Sequence, residues 1–201
     1  MAIKVANNQS LTAITALPSA VSGGAMTLLE TQTASSSATL SFTSDIDDTY
    51  DEYVFKFYDI HPATDGVPFQ FNMSTDSGSN YNITKTTTWF NSYHNEAGNS
   101  TTLAYGAGSD LAQSTAFQNL TESIGNDNDQ SCSGYMHLYN PSSTTFVKHF
   151  ITRINLYQLS DYTADVFTAG YGNTTSAVDA IQFKMSSGNI DAGVIKLYGV
   201  S

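Results

Sequence analysis

Apolar and polar residues alternate with a period of two through most of this sequence. Phe55 and Phe57 fall on one face of such a segment, whereas Lys56 and Tyr58 fall on the other. Successive side chains of a β-strand point to opposite faces, so this pattern places one face on a core and the other in water or against a neighbour. The same alternation recurs in segments 39–43, 69–73, 135–139, 146–156, 181–185 and 194–198.

Short turn sequences separate these segments. Asp65–Gly66, Asn140–Pro141 and Ser187–Gly188–Asn189 combine residues that favour tight turns. The spacing predicts about eight to ten strands with almost no helix, and therefore an all-β, antiparallel β-sandwich of jelly-roll type. Residues 92–130 lack the alternation, and we expect long loops there with a short helix over Asp110–Asn119, capped by Asp110.

The composition agrees with a β-rich chain. The 18 acidic residues are 14 Asp and only four Glu, and Asp favours turns and caps whereas Glu favours helix interiors. The 201 residues include 12 Tyr and 11 Phe, and 40% of the chain is hydrophobic. This apolar content is sufficient for one core, so we expect one folded domain.

Charge and cysteine content exclude several classes of protein. Seven Lys and Arg stand against 18 Asp and Glu, which gives a net charge of −11. Such an acidic chain cannot neutralise a row of phosphates, so we expect no nucleic-acid partner. No apolar run approaches the length of a membrane span, and we expect no membrane partner. One cysteine cannot build a disulfide framework or a Cys-rich zinc site, and no motif indicates a cofactor.

Residues 1–24 read as an extended N-terminal arm, and residues 25–201 as the β-sandwich domain. The arm is polar, weakly periodic and ends at the flexible sequence Ser22–Gly23–Gly24. It lacks the continuous apolar segment of a signal peptide, so we expect no secretion by that route. Its apolar residues are candidates for assembly contacts: Met1, Ile3, Val5, Leu11, Ile14 and Leu17.

Acidic and histidine residues offer weaker signals. The stretch Asp45–Glu52 could gather oxygen ligands for Ca²⁺, but it also fits a solvated turn that leads into the next strand. His137 and His149 lie in separate predicted strands, where we expect cross-strand neighbours that pack or hydrogen-bond. Cys132 has no activating partner in sequence and is interpreted as a packing residue.

A group of aromatic and amide residues lies close together in the sequence, at the start of the loop-rich region. An exposed ring can cover the apolar face of a sugar while amides bond its hydroxyls. The alternative is that Trp89 and Phe90 close one end of the core. The candidate glycan-binding residues are Trp89, Asn91, Tyr93, His94 and Asn95. No catalytic motif such as Gly-x-Ser-x-Gly occurs, so we assign no catalytic residues and expect no enzyme.

Several short stretches carry a family resemblance that extends over almost the whole chain. Together they resemble virion structural proteins of marine tailed bacteriophages, especially phages of cyanobacteria. The stretches are 1–8, 22–26, 42–44, 53–57, 60–64, 146–150, 169–171, 181–184, 187–193 and 196–199. The resemblance implies a virion protein that is assembled in the host cytoplasm, and it brings no catalytic residues with it.

Two roles follow from this resemblance. The first is a decoration or cement protein that attaches to the major capsid protein through its N-terminal arm. The second is a tail or fibre component that binds a host surface glycan. In either role we expect a homo-oligomer, with a trimer as the leading candidate, because exposed edge strands need to be covered.

Overall fold

The computed structural model describes residues 25–200, which contain twelve β-strands and no helix. The prediction of an all-β chain is confirmed, although the alternation revealed fewer strands than are present. The predicted arm and its six apolar assembly candidates lie outside the described residues. The strands are β1 (Met26–Thr33), β2 (Leu40–Phe42), β3 (Glu52–Pro62), β4 (Phe69–Ser74), β5 (Lys85–Asn95), β6 (Thr101–Tyr105), β7 (Gln118–Asn119), β8 (Cys132–Tyr139), β9 (Lys148–Gln158), β10 (Tyr162–Gly172), β11 (Ala180–Met185) and β12 (Ile190–Val200).

The strands form two antiparallel sheets of unequal width. The eight-stranded sheet has the order β1-β12-β3-β8-β9-β10-β5-β6, and the four-stranded sheet has the order β2-β11-β4-β7. The chain repeatedly crosses between the sheets, as it does from β1 to β2 and from β11 to β12. Two hairpins, β5–β6 and β9–β10, widen the larger sheet on one side, where β5 and β10 pair along their full length.

Aromatic side chains from both sheets form the core. Phe57 of β3 meets Phe69 of β4 with 5.3 Å between ring centroids, and Phe55 of β3 meets Phe42 of β2 at the same distance. The intervening Lys56 points to the opposite face of the larger sheet, as the alternation predicted. The inner faces of the two sheets therefore bury each other, which removes their apolar area from water.

The segment from residue 106 to residue 119 runs along the edge of β5 that β6 leaves free, and it ends in β7, the edge strand of the smaller sheet. Its backbone pairs with β5: Thr87 donates its N–H to the carbonyl of Leu111 (2.9 Å) and Lys85 to that of Ser114 (2.8 Å). The helix predicted over Asp110–Asn119 was therefore wrong. The carbonyls of Leu111 and Ser114 accept from β5, so they cannot accept the hydrogen bonds that a helix would need from residues four further on.

Two fully buried lysines hold loops against the sheets. The Lys85 ammonium nitrogen, Nζ, donates to Asn72 Oδ1 (2.6 Å) and to the carbonyl of Ile83 (2.8 Å). Lys148 Nζ donates to three backbone carbonyl oxygens at 2.6–3.3 Å. Neither lysine has a carboxylate partner among the described residues. Burial disfavours the charged form, so it lowers the pKa of both side chains, that of Lys85 to about 7.

Candidate functional site

The residues predicted to bind a glycan lie on strand β5 and not in a loop. β5 pairs continuously with β10 from Trp89, opposite Thr168, to Asn95, opposite Tyr162. The prediction of a loop here was wrong. Polar residues alternate with aromatic residues in this segment, and its backbone groups are hydrogen-bonded to the neighbouring strand. Trp89 is 2% exposed and packs in the core, as the alternative had it, whereas Phe90 is 39% exposed and does not.

The strand divides the predicted residues between two places. Trp89, Asn91 and Tyr93 share the inner face of β5 and line one cleft of about 580 Å³. His94 and Asn95 instead line a separate hollow of about 430 Å³. Alternation explains the place of His94, which lies on the opposite face of β5, whereas Asn95 shares the parity of Tyr93 and lies apart because it ends the strand.

Glu122 completes the cleft, and no motif or spacing in the sequence had singled it out. Asn91 donates its side-chain N–H to Glu122 Oε1. Glu122 is held in place by its neighbours, since the Thr121 hydroxyl accepts the N–H of Phe69 (2.9 Å) and ties this segment to β4. Burial raises the pKa of the Glu122 carboxyl and outweighs the opposing effect of the Asn91 hydrogen bond.

A smaller hollow continues the cleft. It has a volume of about 290 Å³, and Ser160 and Tyr162 contribute to it. Tyr93, Glu122 and Gln158 line both spaces, so the two form one extended groove. The Tyr93 ring is fixed by an edge-on contact with Tyr162, whose centroid is 4.9 Å away at an interplanar angle of 90°.

The groove is rich in hydrogen-bonding side chains and poor in charge. Glu122 is the carboxylate among its lining residues, and no Lys or Arg lines either part of it. Within residues 25–200, no three or more His, Cys, Asp or Glu side chains form a group that could hold a metal ion. The chemistry available in the groove is hydrogen bonding and contact with aromatic rings.

Gly106 lets the indole ring of Trp89 lie under the β6 end of the cleft. Its N–H donates to the Trp89 carbonyl (3.0 Å), and a Cβ at residue 106 would lie 2.3 Å from Cε3 of the indole. That distance is far inside van der Waals contact, and a buried indole cannot rotate away cheaply.

We expect Gly106→Ala to displace Trp89 and to lower the free energy of unfolding by about 1–3 kcal/mol. The sequence contains one tryptophan, so its fluorescence reports the displacement directly as a red shift toward hydrated indole. Gly108→Ala is the matched control, because a Cβ there has nothing within 4 Å. An unshifted emission spectrum in Gly106→Ala would show that the ring is not confined as described.

The outer face of the eight-stranded sheet forms a second surface of interest. Phe90 and Phe167 stack at 4.9 Å, and the Arg153 guanidinium lies 4.9 Å from the Phe167 ring centre. One register line across the sheet carries only cations and aromatic rings, in the order Lys196, Lys56, Tyr135, Arg153, Phe167 and Phe90. Three of the six Lys and Arg in residues 25–200 lie on this line, although the whole chain is strongly acidic.

The histidines and the acidic stretch make local contacts. His137 bonds the carboxylate of Glu52, and His149 packs edge-on against Tyr171 at 6.1 Å. His137 pairs directly with Ile151, which is two residues from His149, so the two histidines are not directly opposite each other. In the acidic stretch, Asp47 accepts the Thr49 N–H (2.8 Å) and the Tyr53 hydroxyl (2.9 Å). These contacts fit an ordered turn, and the prediction of Ca²⁺ binding stays open.

Cys132 is buried, in agreement with its interpretation as a packing residue. Burial raises the pKa of its thiol, which keeps the side chain protonated and unreactive.

No helix within residues 25–200 has the length and hydrophobicity that crossing a membrane requires. Comparison of the chain with models of known families, with curated proteins and with solved structures finds no match.

Proposed function

We propose that this chain is a structural protein of a tailed-phage virion, which decorates the capsid surface and attaches through residues 1–24. The sequence resemblance described above supports this setting, and the strand order is the structural observation that carries it. The order β1-β12-β3-β8 faces β2-β11-β4-β7, and β4 and β7 are neighbours in the smaller sheet. We propose that these strands wind as an eight-stranded jelly roll, an architecture common in viral capsid proteins.

The hairpins β5–β6 and β9–β10 are additions to that eight-stranded core. Both extend the larger sheet beyond β8, and they pair with each other through β5 and β10. The groove lies on the inner side of these hairpins. Arg153, Phe167 and Phe90, on the outer face of the eight-stranded sheet, lie on their other side. Function commonly resides in such additions, because the core can keep its packing while they vary.

The outer face of the larger sheet supports contact with another virion protein. Large exposed residues on it include Tyr58 (40% exposed), Phe90 (39%) and Ile151 (48%). Exposed aromatic surface of this kind is enriched at protein interfaces. We propose that this face is covered by further copies of the chain in a homo-oligomer, with a trimer as the leading candidate, or by the major capsid protein.

Deletion of residues 1–24 tests the mode of attachment. We expect the shortened chain to keep its β-sheet circular dichroism and cooperative unfolding but to lose co-sedimentation with phage heads. A chain with a Gly/Ser segment of equal length in place of residues 1–24 controls for the length of the arm. Retained head binding would contradict anchoring by the arm, and an unfolded variant would show that the arm belongs to the core.

A tail or fibre component that binds a host surface glycan is the second candidate. The observation that favours it is the groove, where Trp89, Asn91 and Tyr93 lie together on one face of β5. Aromatic rings beside amides provide the contacts that sugars use. Adsorption of phage or purified protein to host cells tests this role, and loss of adsorption in Tyr93→Ala with folding intact would support it.

A further inference from the structure

We infer that the groove formed by Tyr93, Asn91 and Glu122 binds a neutral saccharide of more than one ring. This inference deepens the second candidate function, since it names the ligand of the same site. It depends on the groove alone and not on where the protein sits in a virion.

The charge of the groove selects against anionic ligands. Neither part of it is lined by Lys or Arg, and its carboxylate is Glu122. An acidic sugar would bring its own carboxylate into a space without a cationic partner, and burying an unpaired charge is costly. A phosphate, a sialic acid or a uronic acid is therefore disfavoured, whereas an uncharged pyranose carries no such cost.

The polar atoms at the floor of the groove suit hydroxyl groups. The Asn91 amide nitrogen and Glu122 Oε1 bond each other, which fixes both side chains. The second oxygens, Asn91 Oδ1 and Glu122 Oε2, accept no hydrogen bond from another described residue and are open to solvent. Two acceptors on adjoining fixed side chains can receive two neighbouring sugar hydroxyls, and a site organised beforehand loses little entropy on binding.

The aromatic residues provide the apolar surface that a pyranose needs. Tyr93 lies where the two parts of the groove meet, and its edge-on contact with Tyr162 holds the ring in place. Tyr105 lines the larger part, and its hydroxyl donates to Asp110 (2.6 Å). A sugar ring can cover the Tyr93 ring while its hydroxyls reach Asn91 and Glu122.

The length of the groove indicates more than one sugar ring. The larger part alone, at about 580 Å³, falls within the range of small-molecule sites, about 300–1,000 Å³. The adjoining part adds about 290 Å³ and shares Tyr93, Glu122 and Gln158 with it. A ligand in the larger part therefore passes Tyr93 and continues toward Ser160 and Tyr162.

The test is equilibrium binding of the full chain to a panel of neutral hexose and N-acetylhexosamine oligosaccharides of one to four rings. Matched sialylated and uronic-acid oligosaccharides serve as the charged counterparts. We expect at least one neutral oligosaccharide to bind, about tenfold more tightly than its single ring and about tenfold more tightly than its charged counterpart. No binding of any neutral member at millimolar concentration would overturn the inference, as would preferential binding of the charged sugars.

Variants then locate the site. We expect Tyr93→Ala and the isosteric Glu122→Gln each to weaken binding about tenfold, the latter because a charged acceptor is lost. Phe90→Ala is the matched control, since Phe90 lies on β5 but faces the opposite side. If Phe90→Ala weakens binding as much as the groove variants, or if neither groove variant weakens it, the assignment of the groove is overturned.

These results separate the inference from the proposed virion role. Binding of neutral sugars by a protein that is absent from phage particles would leave the inference standing and would refute the virion role. A protein present on particles that binds no neutral sugar would give the opposite result.

Discussion

Phe183→Ala is expected to lower the free energy of unfolding by about 4 kcal/mol, the largest effect of any substitution considered for this protein. Phe183 lies on β11 in the middle of the smaller sheet and is fully buried. Five other phenylalanine rings have centroids 5.2–6.4 Å from its own: Phe42, Phe55, Phe57, Phe69 and Phe71. Truncation leaves a cavity that these rings, drawn from both sheets, cannot fill without leaving their rotamers.

Urea unfolding monitored by circular dichroism measures this loss as a lower midpoint. Phe90→Ala is the control, since Phe90 is 39% exposed and has one stacked neighbour, Phe167. We expect the control to cost less than about 1.5 kcal/mol, which is the upper end for one aromatic pair. Equal losses in the two variants would contradict a core centred on Phe183.

The second large effect is on the pH dependence of stability. We expect the free energy of unfolding to rise by about 2 kcal/mol between about pH 6 and about pH 8.5 because of Lys85. Burial lowers the pKa of Lys85 to about 7 in the folded chain, whereas an unfolded lysine keeps its usual pKa near 10.4. Below pH 7 the folded state must bury a charge. Between the two pKa values the unfolded state binds more protons, so stability increases as pH rises.

Lys85→Met isolates this contribution, because methionine fills a similar volume without a titratable group. We expect the free energy of unfolding of the variant to lose most of its increase between about pH 6 and pH 8.5, whatever its absolute value. The other titrating groups account for any increase that remains. The absolute stability of the variant reflects a second change, since Asn72 Oδ1 loses the Lys85 hydrogen bond. A wild-type protein whose stability is flat or falls over this range would contradict a neutral, buried Lys85.

The sequence predicted the strands whose side chains alternate between a core and a solvated face. Segments such as Phe55–Phe57 in β3 and Ile181–Phe183 in β11 carry that signal because one face is apolar and the other polar. β5 was not recognised along its length, because inward Asn91 and outward Phe90 reverse the usual assignment of polar and apolar faces. Such reversals mark places where the inner face lines a groove and the outer face is uncovered.

The groove could be predicted only in part, for a different reason. Trp89, Asn91 and Tyr93 were selected as aromatic and amide residues close together in the sequence. Glu122 is 31 residues from its partner Asn91, and the segment that carries it is placed by backbone hydrogen bonds to Val67 and Phe69, which no local sequence signal indicates. Periodicity fixes which face a residue occupies, whereas the order of strands in a sheet depends on contacts between distant segments.

The most direct test of the central proposal is electron microscopy of intact tailed-phage particles labelled with gold-conjugated antibody against the recombinant chain. A decoration protein predicts label spread over the heads, at many sites per particle, and loss of that label from particles assembled with the chain lacking residues 1–24. Label confined to the tail or its fibres would contradict the capsid-surface role and favour the glycan-binding candidate. Unlabelled particles would contradict a virion role altogether.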